Sequence, residues 1–157
     1  MISSILLALA AQTSSGKLPP ARALPPPVGE EQAVLASVNA VLSSFSAGDS
    51  AAMLRWVYPD GRVTATGTRA TSKGLRQESW TQFAARVVPG KGFEETITDP
   101  AVEIDGDAAM VWAPFVVRVG GKVSNCGFDH FDLVRDNGGW RVMNLTFSSR
   151  IDGCPGQ

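Results

Sequence analysis

The sequence predicts an α+β domain, and two observations carry the prediction. In the first half, apolar residues recur at helical steps of three and four. From Ala108 to Ser149 they instead form long β-branched and aromatic runs, broken by Gly120-Gly121 and Asn137-Gly138. Three helices are therefore expected ahead of a meander of three long strands.

The chain opens on MISSILLALA, an apolar stretch closing in the small-x-small pattern Ala8-Leu9-Ala10. Residues 1–10 read as a signal peptide cleaved before Ala11, against the alternative of a frayed apolar N-terminus. The stretch is too short for the ~20 apolar residues of a bilayer span. Export to the periplasm or the medium is expected, with no membrane association beyond this segment. Residues 11–29 carry Pro19-Pro20 and Pro25-Pro26-Pro27 without an apolar period, and read as a Pro-rich linker. The folded domain is placed at 30–150, with a C-terminal tail at 151–157.

The 157 residues, 44% hydrophobic and 18% charged, suit one domain with a real core. A net charge of -1 without runs of like charge excludes an electrostatic footprint for nucleic acid or anionic lipid.

Between Glu30 and Ser46, Val34, Val38, Val41, Leu42 and Phe45 share one helical face, with two acids in the first turn. Gly48 ends this helix, and Asp49 or Ser50 caps a short second one through Trp56. Tyr58-Pro59-Asp60-Gly61 turns the chain into a short strand, Arg62 to Thr66. Gln77 to Val88 sets Trp80, Phe83, Ala84 and Val87 on one stripe, a third helix ended by Pro89-Gly90. Short strands follow at Phe93 to Thr98 and Ala101 to Ile104, and Asp105-Gly106-Asp107 turns into the meander.

Read as two-residue turns, Gly120-Gly121 and Asn137-Gly138 set a register in which Asp129 faces Trp112 and Thr146, and Phe131 faces Met110 and Asn144. Met110, Trp112, Asp129, Phe131, Asn144 and Thr146 then share the inner face. Val111, Phe115, Phe128, His130, Leu145 and Phe147 go to the other. Both faces are apolar, so the helices are expected on one and a second copy of the chain, in a homodimer, on the other. A bulge would invert part of this assignment. The late pair Cys126 and Cys154 points to a disulfide tying the tail to the middle strand, with two unpaired thiols as the alternative. Closing that loop would stabilise the fold by roughly 3 kcal/mol.

Helix, Gly-Asp turn, short helix, Tyr-x-Asp, strand, helix and a meander ending in Gly139-Trp140-Arg141-Val142 resembles the nuclear transport factor 2-like superfamily, with its SnoaL-like and ketosteroid-isomerase-like domains. The resemblance spans about Glu30 to Arg150. It implies a cone-like curved antiparallel sheet wrapped on the three N-terminal helices, with an apolar pocket at its open end. Asp129-His130-Phe131 also resembles the Asp-His-Phe of ketosteroid isomerases, where the acid stays protonated in an apolar site and helps form an oxyanion hole. The place of that family's general base falls near Thr66, which cannot abstract a proton at neutral pH, and the place of its oxyanion-hole Tyr falls near Val41 or Leu42. Steroid isomerisation is therefore not expected.

The sequence thus points to an exported domain that holds a small apolar or aromatic ligand. Trp56, Tyr58, Trp80, Phe83, Met110, Trp112 and Phe131 would line the site, with Asn144 and Thr146 giving polar contacts beside Asp129. An isomerase, dehydratase or cyclase using Asp129 with an unrecognised base, His130 if a bulge turns it inward, is the alternative; a structural dimerisation module is the second. No metal cluster and no cofactor motif is seen.

Overall fold

The structure, a computed structural model, describes residues 29–67 and 74–157. The signal segment and nearly all of the linker lie outside the described residues. Helix α1 (Glu30–Ala47) forms on the expected stripe, burying Val34, Val38, Val41, Leu42 and Phe45. Gly48 stops it in the left-handed conformation (φ 69°), its N–H turned back to the Phe45 and Ser44 carbonyls. The Asp49 carboxylate then accepts the Ala52 N–H at 2.8 Å and starts α2 (Ser50–Trp56).

Strand β1 (Arg62–Gly67) follows the turn as expected. The helix expected from Gln77 to Val88 needs correction. Arg76–Ser79 is strand β2, antiparallel to β1, and α3 is confined to Trp80–Ala84. A capping box causes the switch: Ser79 Oγ accepts the Gln82 N–H while the Gln82 side chain accepts the Ser79 N–H. The Trp80 and Phe83 stripe is helical, but the polar residues ahead of it complete a sheet edge.

Strands β3 (Phe93–Ile97), β4 (Ala101–Asp105), β5 (Ala108–Val119), β6 (Lys122–Asp136) and β7 (Gly139–Ser149) finish one curved, unclosed sheet. Its order is β2-β1-β7-β6-β5-β3, with β4 also on β5. The sheet is mixed rather than wholly antiparallel, because β1 runs parallel to β7. Strand β5 divides its outer edge between two partners: β3 pairs from Val119 to Phe115, β4 from Trp112 to Ala108, and Pro114 stands at the break. A proline N–H is not available there, so the ladder changes partner where it is weakest.

Both long hairpin turns fall where expected, with positive φ at Gly120, Gly121, Asn137 and Gly138, as right-handed strand twist requires. The register beyond them does not hold. Val117 pairs with Asn125 although Arg118 pairs with Val123, which leaves Ser124 as an extra residue on β6. Asp132 pairs with Asn144 although Leu133 pairs with Val142, which leaves Met143 extra on β7. Each bulge shifts the pairing by one and flips one flanking strand relative to the expected faces. Met110, Trp112, Asn144 and Thr146 therefore leave the inner face, while Val111, Phe115, Leu145 and Phe147 join Asp129 and Phe131 on it.

The Met143 bulge has a long-range partner. Its freed carbonyl accepts the Trp80 indole N–H at 2.9 Å, and the Gly61 backbone presses against the same carbonyl. The inner face packs on α1, with Val111, Phe131, Leu133 and Val142 at most 1% exposed. Each such side chain contributes roughly 1.5–3 kcal/mol. Glu30 fastens the first helix turn to the last hairpin by accepting from Arg135 (2.8 Å) and Trp140 (3.2 Å). Cys126 and Cys154 are joined by a disulfide that returns the tail to β6. No described helix is long and apolar enough to cross a membrane.

Candidate functional site

A cavity of about 620 Å³ opens between the inner face of the sheet, the end of α1 and the segment around α3. Its walls follow from the two bulges. The Ser124 bulge keeps Phe115 and Val117 of β5 inward beside Asn125, and the Met143 bulge brings Leu145 and Phe147 to the same side. Phe45 and Phe83, with ring centroids 5.3 Å apart, close one end, and Phe93 meets Phe45 at 6.4 Å. Arg76, Arg86 and Lys91 also line the opening. This size and apolar lining are those of a small-molecule site.

Asn125 of β6 and Glu95 of β3 are polar residues on the sheet side of the wall, and a buried acid lies beside Glu95. Asp129 is 1% exposed, and neither carboxyl oxygen receives a hydrogen bond from an N–H or hydroxyl group. Its polar neighbour is the carboxyl of Glu95, which lines the cavity from β3, on the far side of β5. Two carboxylates cannot both stay ionised in such a place. Burial, the Glu95 charge and the hydrogen bond to Glu95 hold Asp129 well above the usual carboxylate range. Burial pushes Glu95 up to about 7, partly offset by the hydrogen bond from Asp129. The pair therefore shares a proton that rests on Asp129, with Glu95 as the first to ionise.

The other residues anticipated for the site scatter. Phe83 lines the cavity. Trp80 and Phe131 are 1% and 0% exposed, built into the core. Trp56 is 40% exposed on α2, and Tyr58 serves the chain through its backbone, its N–H donating to the Val142 carbonyl. Trp112 is 46% exposed on the outer face, stacked on Phe128 at 5.2 Å and beside His130 at 6.0 Å, with Met110 on the same face of β5. His130 lies near Asp132 (Nε2 to Oδ1 3.6 Å) and faces away from the cavity. Asn144 accepts the Arg62 N–H and donates to Asp132, so it joins β1 to β6 rather than a ligand, and Thr146 is exposed. Among the described residues no group of three His, Cys, Asp or Glu could hold a metal ion.

Glu95, Phe93, Phe115, Asn125 and Phe147 escaped sequence reasoning. Strand alternation could have found Glu95, since it shares a face with Phe93 and Ile97 in Phe93–Ile97.

Comparison with known proteins fits this geometry. The SnoaL-like domain family matches residues 30–146. The chain belongs to the SnoaL-like domain family. Solved structures agree on the fold of this SnoaL-like domain. A cystatin-like-fold protein from Nostoc punctiforme is 12% identical, covers 82% of this chain and 96% of its own, and superposes with a TM-score of 0.64. A nuclear transport factor 2-like protein from Shewanella baltica is 16% identical (81% and 98% covered, TM-score 0.61). A nuclear transport factor 2-like superfamily protein from Salmonella enterica is 17% identical (81% and 95% covered, TM-score 0.62). A search of the curated proteins found no match. At these identities the likeness shows the fold and leaves the ligand to the site itself.

Proposed function

We propose that this SnoaL-like domain is an exported small-molecule-binding protein whose ligand sits in the cavity between α1, α3 and the sheet. The observation that carries the reading is an apolar enclosure of about 620 Å³ with Glu95 on its wall and Asp129 buried beside that carboxyl. A core without a ligand role gains nothing from two carboxyls that must share a proton in apolar surroundings. The Cys126–Cys154 disulfide is consistent with an oxidising, extracytoplasmic setting. A thermal-shift screen of one- and two-ring compounds tests the proposal, repeated on Val119→Trp, which narrows the mouth at a 42% exposed position. Hits lost in the variant support it; an absence of hits in the native protein counts against it. Export is tested separately: the secreted or periplasmic protein should begin at Ala11.

The acid pair also favours an enzymatic reading, proton transfer next to a carbonyl in an isomerase, dehydratase or cyclase. Glu95, which lines the cavity and ionises near 7, suits a general base, and the protonated Asp129 buried beside it suits a donor that steadies the Glu95 carboxylate. His130 is not needed in this scheme and faces the wrong way. Exchange of the α-hydrogens of 2-tetralone in D2O, followed by NMR, tests it. Exchange abolished by Glu95→Gln supports the scheme, and exchange no faster than buffer removes it.

A homodimer remains the proposal for the outer face, motivated by the exposed Trp112–Phe128 stack. Light scattering of the native protein and of Trp112→Ser/Phe128→Ser tests it; a native monomer rejects it.

A further inference from the structure

We infer that the cavity takes an anionic amphipathic ligand, a ring system bearing a carboxylate or sulfonate whose charged head lies at the Arg76, Arg86 and Lys91 side of the mouth. The inference rests on the binding reading above and names the class of ligand. Three cationic side chains converge on one opening in a chain whose net charge is -1. The acid that faces them from β2, Glu78, is shared by two guanidinium groups, Arg86 at 2.6 Å and Arg76 at 3.6 Å. From the sheet Glu95 lines the same cavity, and it and the Asp129 buried beside it hold a proton between them and so supply at most about one negative charge near neutral pH. The mouth therefore keeps a positive surplus, carried by solvent-reachable side chains (Arg76 40% and Arg86 49% exposed) that can meet an anion as it enters and whose attraction salt screens.

The arrangement also has a direction. Arg86 is held in place by two 2.6 Å bonds to Glu78 and lies over the Phe83 ring, its carbon 5.3 Å from the centroid. A guanidinium fixed on an aromatic wall offers its remaining N–H groups to an oxyanion with little ordering left to lose. The apolar body of the ligand would then reach past Phe115 and Phe147 toward Glu95. A cationic ligand would meet repulsion at the mouth, and a neutral one would draw nothing from its positive charge.

Two dyes that differ in a single sulfonate provide the test: neutral N-phenyl-1-naphthylamine and anionic 1-anilinonaphthalene-8-sulfonate. Fluorescence titration of the intact domain should show the sulfonate binding at least tenfold tighter, an advantage that shrinks with added salt. Lys91→Gln, and separately Arg86→Gln, should each weaken the sulfonate about fivefold and leave the neutral dye unchanged. Lys91 pairs with no fold-bearing acid in this arrangement, so its variant keeps the test valid if Arg86→Gln disturbs β2. Equal affinity for the two dyes, or a sulfonate affinity indifferent to both variants, overturns the inference while leaving the binding reading intact. If neither dye binds, or Val119→Trp displaces neither, the cavity reading falls and this inference falls with it.

Discussion

Glu95 on β3 and Asp129 on β6 place their carboxyls against each other across β5, Glu95 on the cavity wall and Asp129 buried beside it, where neither Asp129 oxygen meets an N–H or hydroxyl donor. One proton held between two acids is the lowest-cost state of such a pair, and burial makes its removal unfavourable. The stability, the pH response and the chemistry of the site all turn on that proton.

The first consequence is a pH dependence of unusual sign. Both acids titrate higher in the folded chain than in the unfolded one. Between the ordinary carboxylate range and about 7, the native state holds more protons than the unfolded state, so stability falls as pH rises. The contribution is fully present below about 4.5, the ordinary value for Glu95, and that acid's share is lost by the time pH passes 7. Thermal melts from pH 5 to 8 should show Tm declining by about 5 °C.

Replacing Asp129 with Asn keeps a hydrogen-bond donor toward Glu95 and removes one of the two ionisations. Asp129→Asn should melt several degrees above the native protein at pH 8, and the difference should shrink or reverse at pH 5. Parallel melts at the two pH values check this. An Asn variant destabilised equally at both would mean that the carboxyl is fixed by a structural contact rather than by its proton.

The Cys126–Cys154 bond closes a loop across a sequence separation of 28 residues. The double variant Cys126→Ala/Cys154→Ala should lose about 3 kcal/mol in urea unfolding, chiefly by freeing the unfolded chain. The Glu95–Asp129 titration should be unchanged, because Cys126 faces away from the cavity.

Gly61 lies against the carbonyl of Met143, where a Cβ would overlap the bulged backbone. Gly61→Ala should cost about 2 kcal/mol through overpacking. Its damage should concentrate on β7: amide hydrogen exchange near Met143 and the Trp80 indole N–H should speed up more than exchange in α1.

What could be read from the chain and what could not divide along a physical line. The α1 stripe, the Gly48 stop, the Asp49 cap, the two hairpin turns and the cysteine pair all depend on residues close in sequence or on a small count, and each is visible there. The bulges at Ser124 and Met143 are not, because what satisfies the Met143 carbonyl is Trp80, far away in the chain. Turn chemistry sets where pairing begins, and one extra residue beyond it exchanges the faces. Trp112, Asn144 and Thr146 were misplaced for that reason. Asp129 stays on the inner face because it lies between the two bulges, whose shifts move its partners rather than its own strand. Strand β2 shows the same limit: Arg76-Gln77-Glu78-Ser79 has no apolar alternation, and only pairing with β1 makes it a strand. Glu95 was legible in principle from its alternation with Phe93 and Ile97, but its proximity to Asp129 depends on the curvature of the sheet.

The most direct test of the account is a ¹³C NMR titration of the side-chain carboxyls of Glu95 and Asp129 in the native protein. A Glu95 midpoint near 7 is expected, with Asp129 still protonated where Glu95 ionises. Midpoints near 4 for both acids, the range of exposed carboxyls, would contradict it.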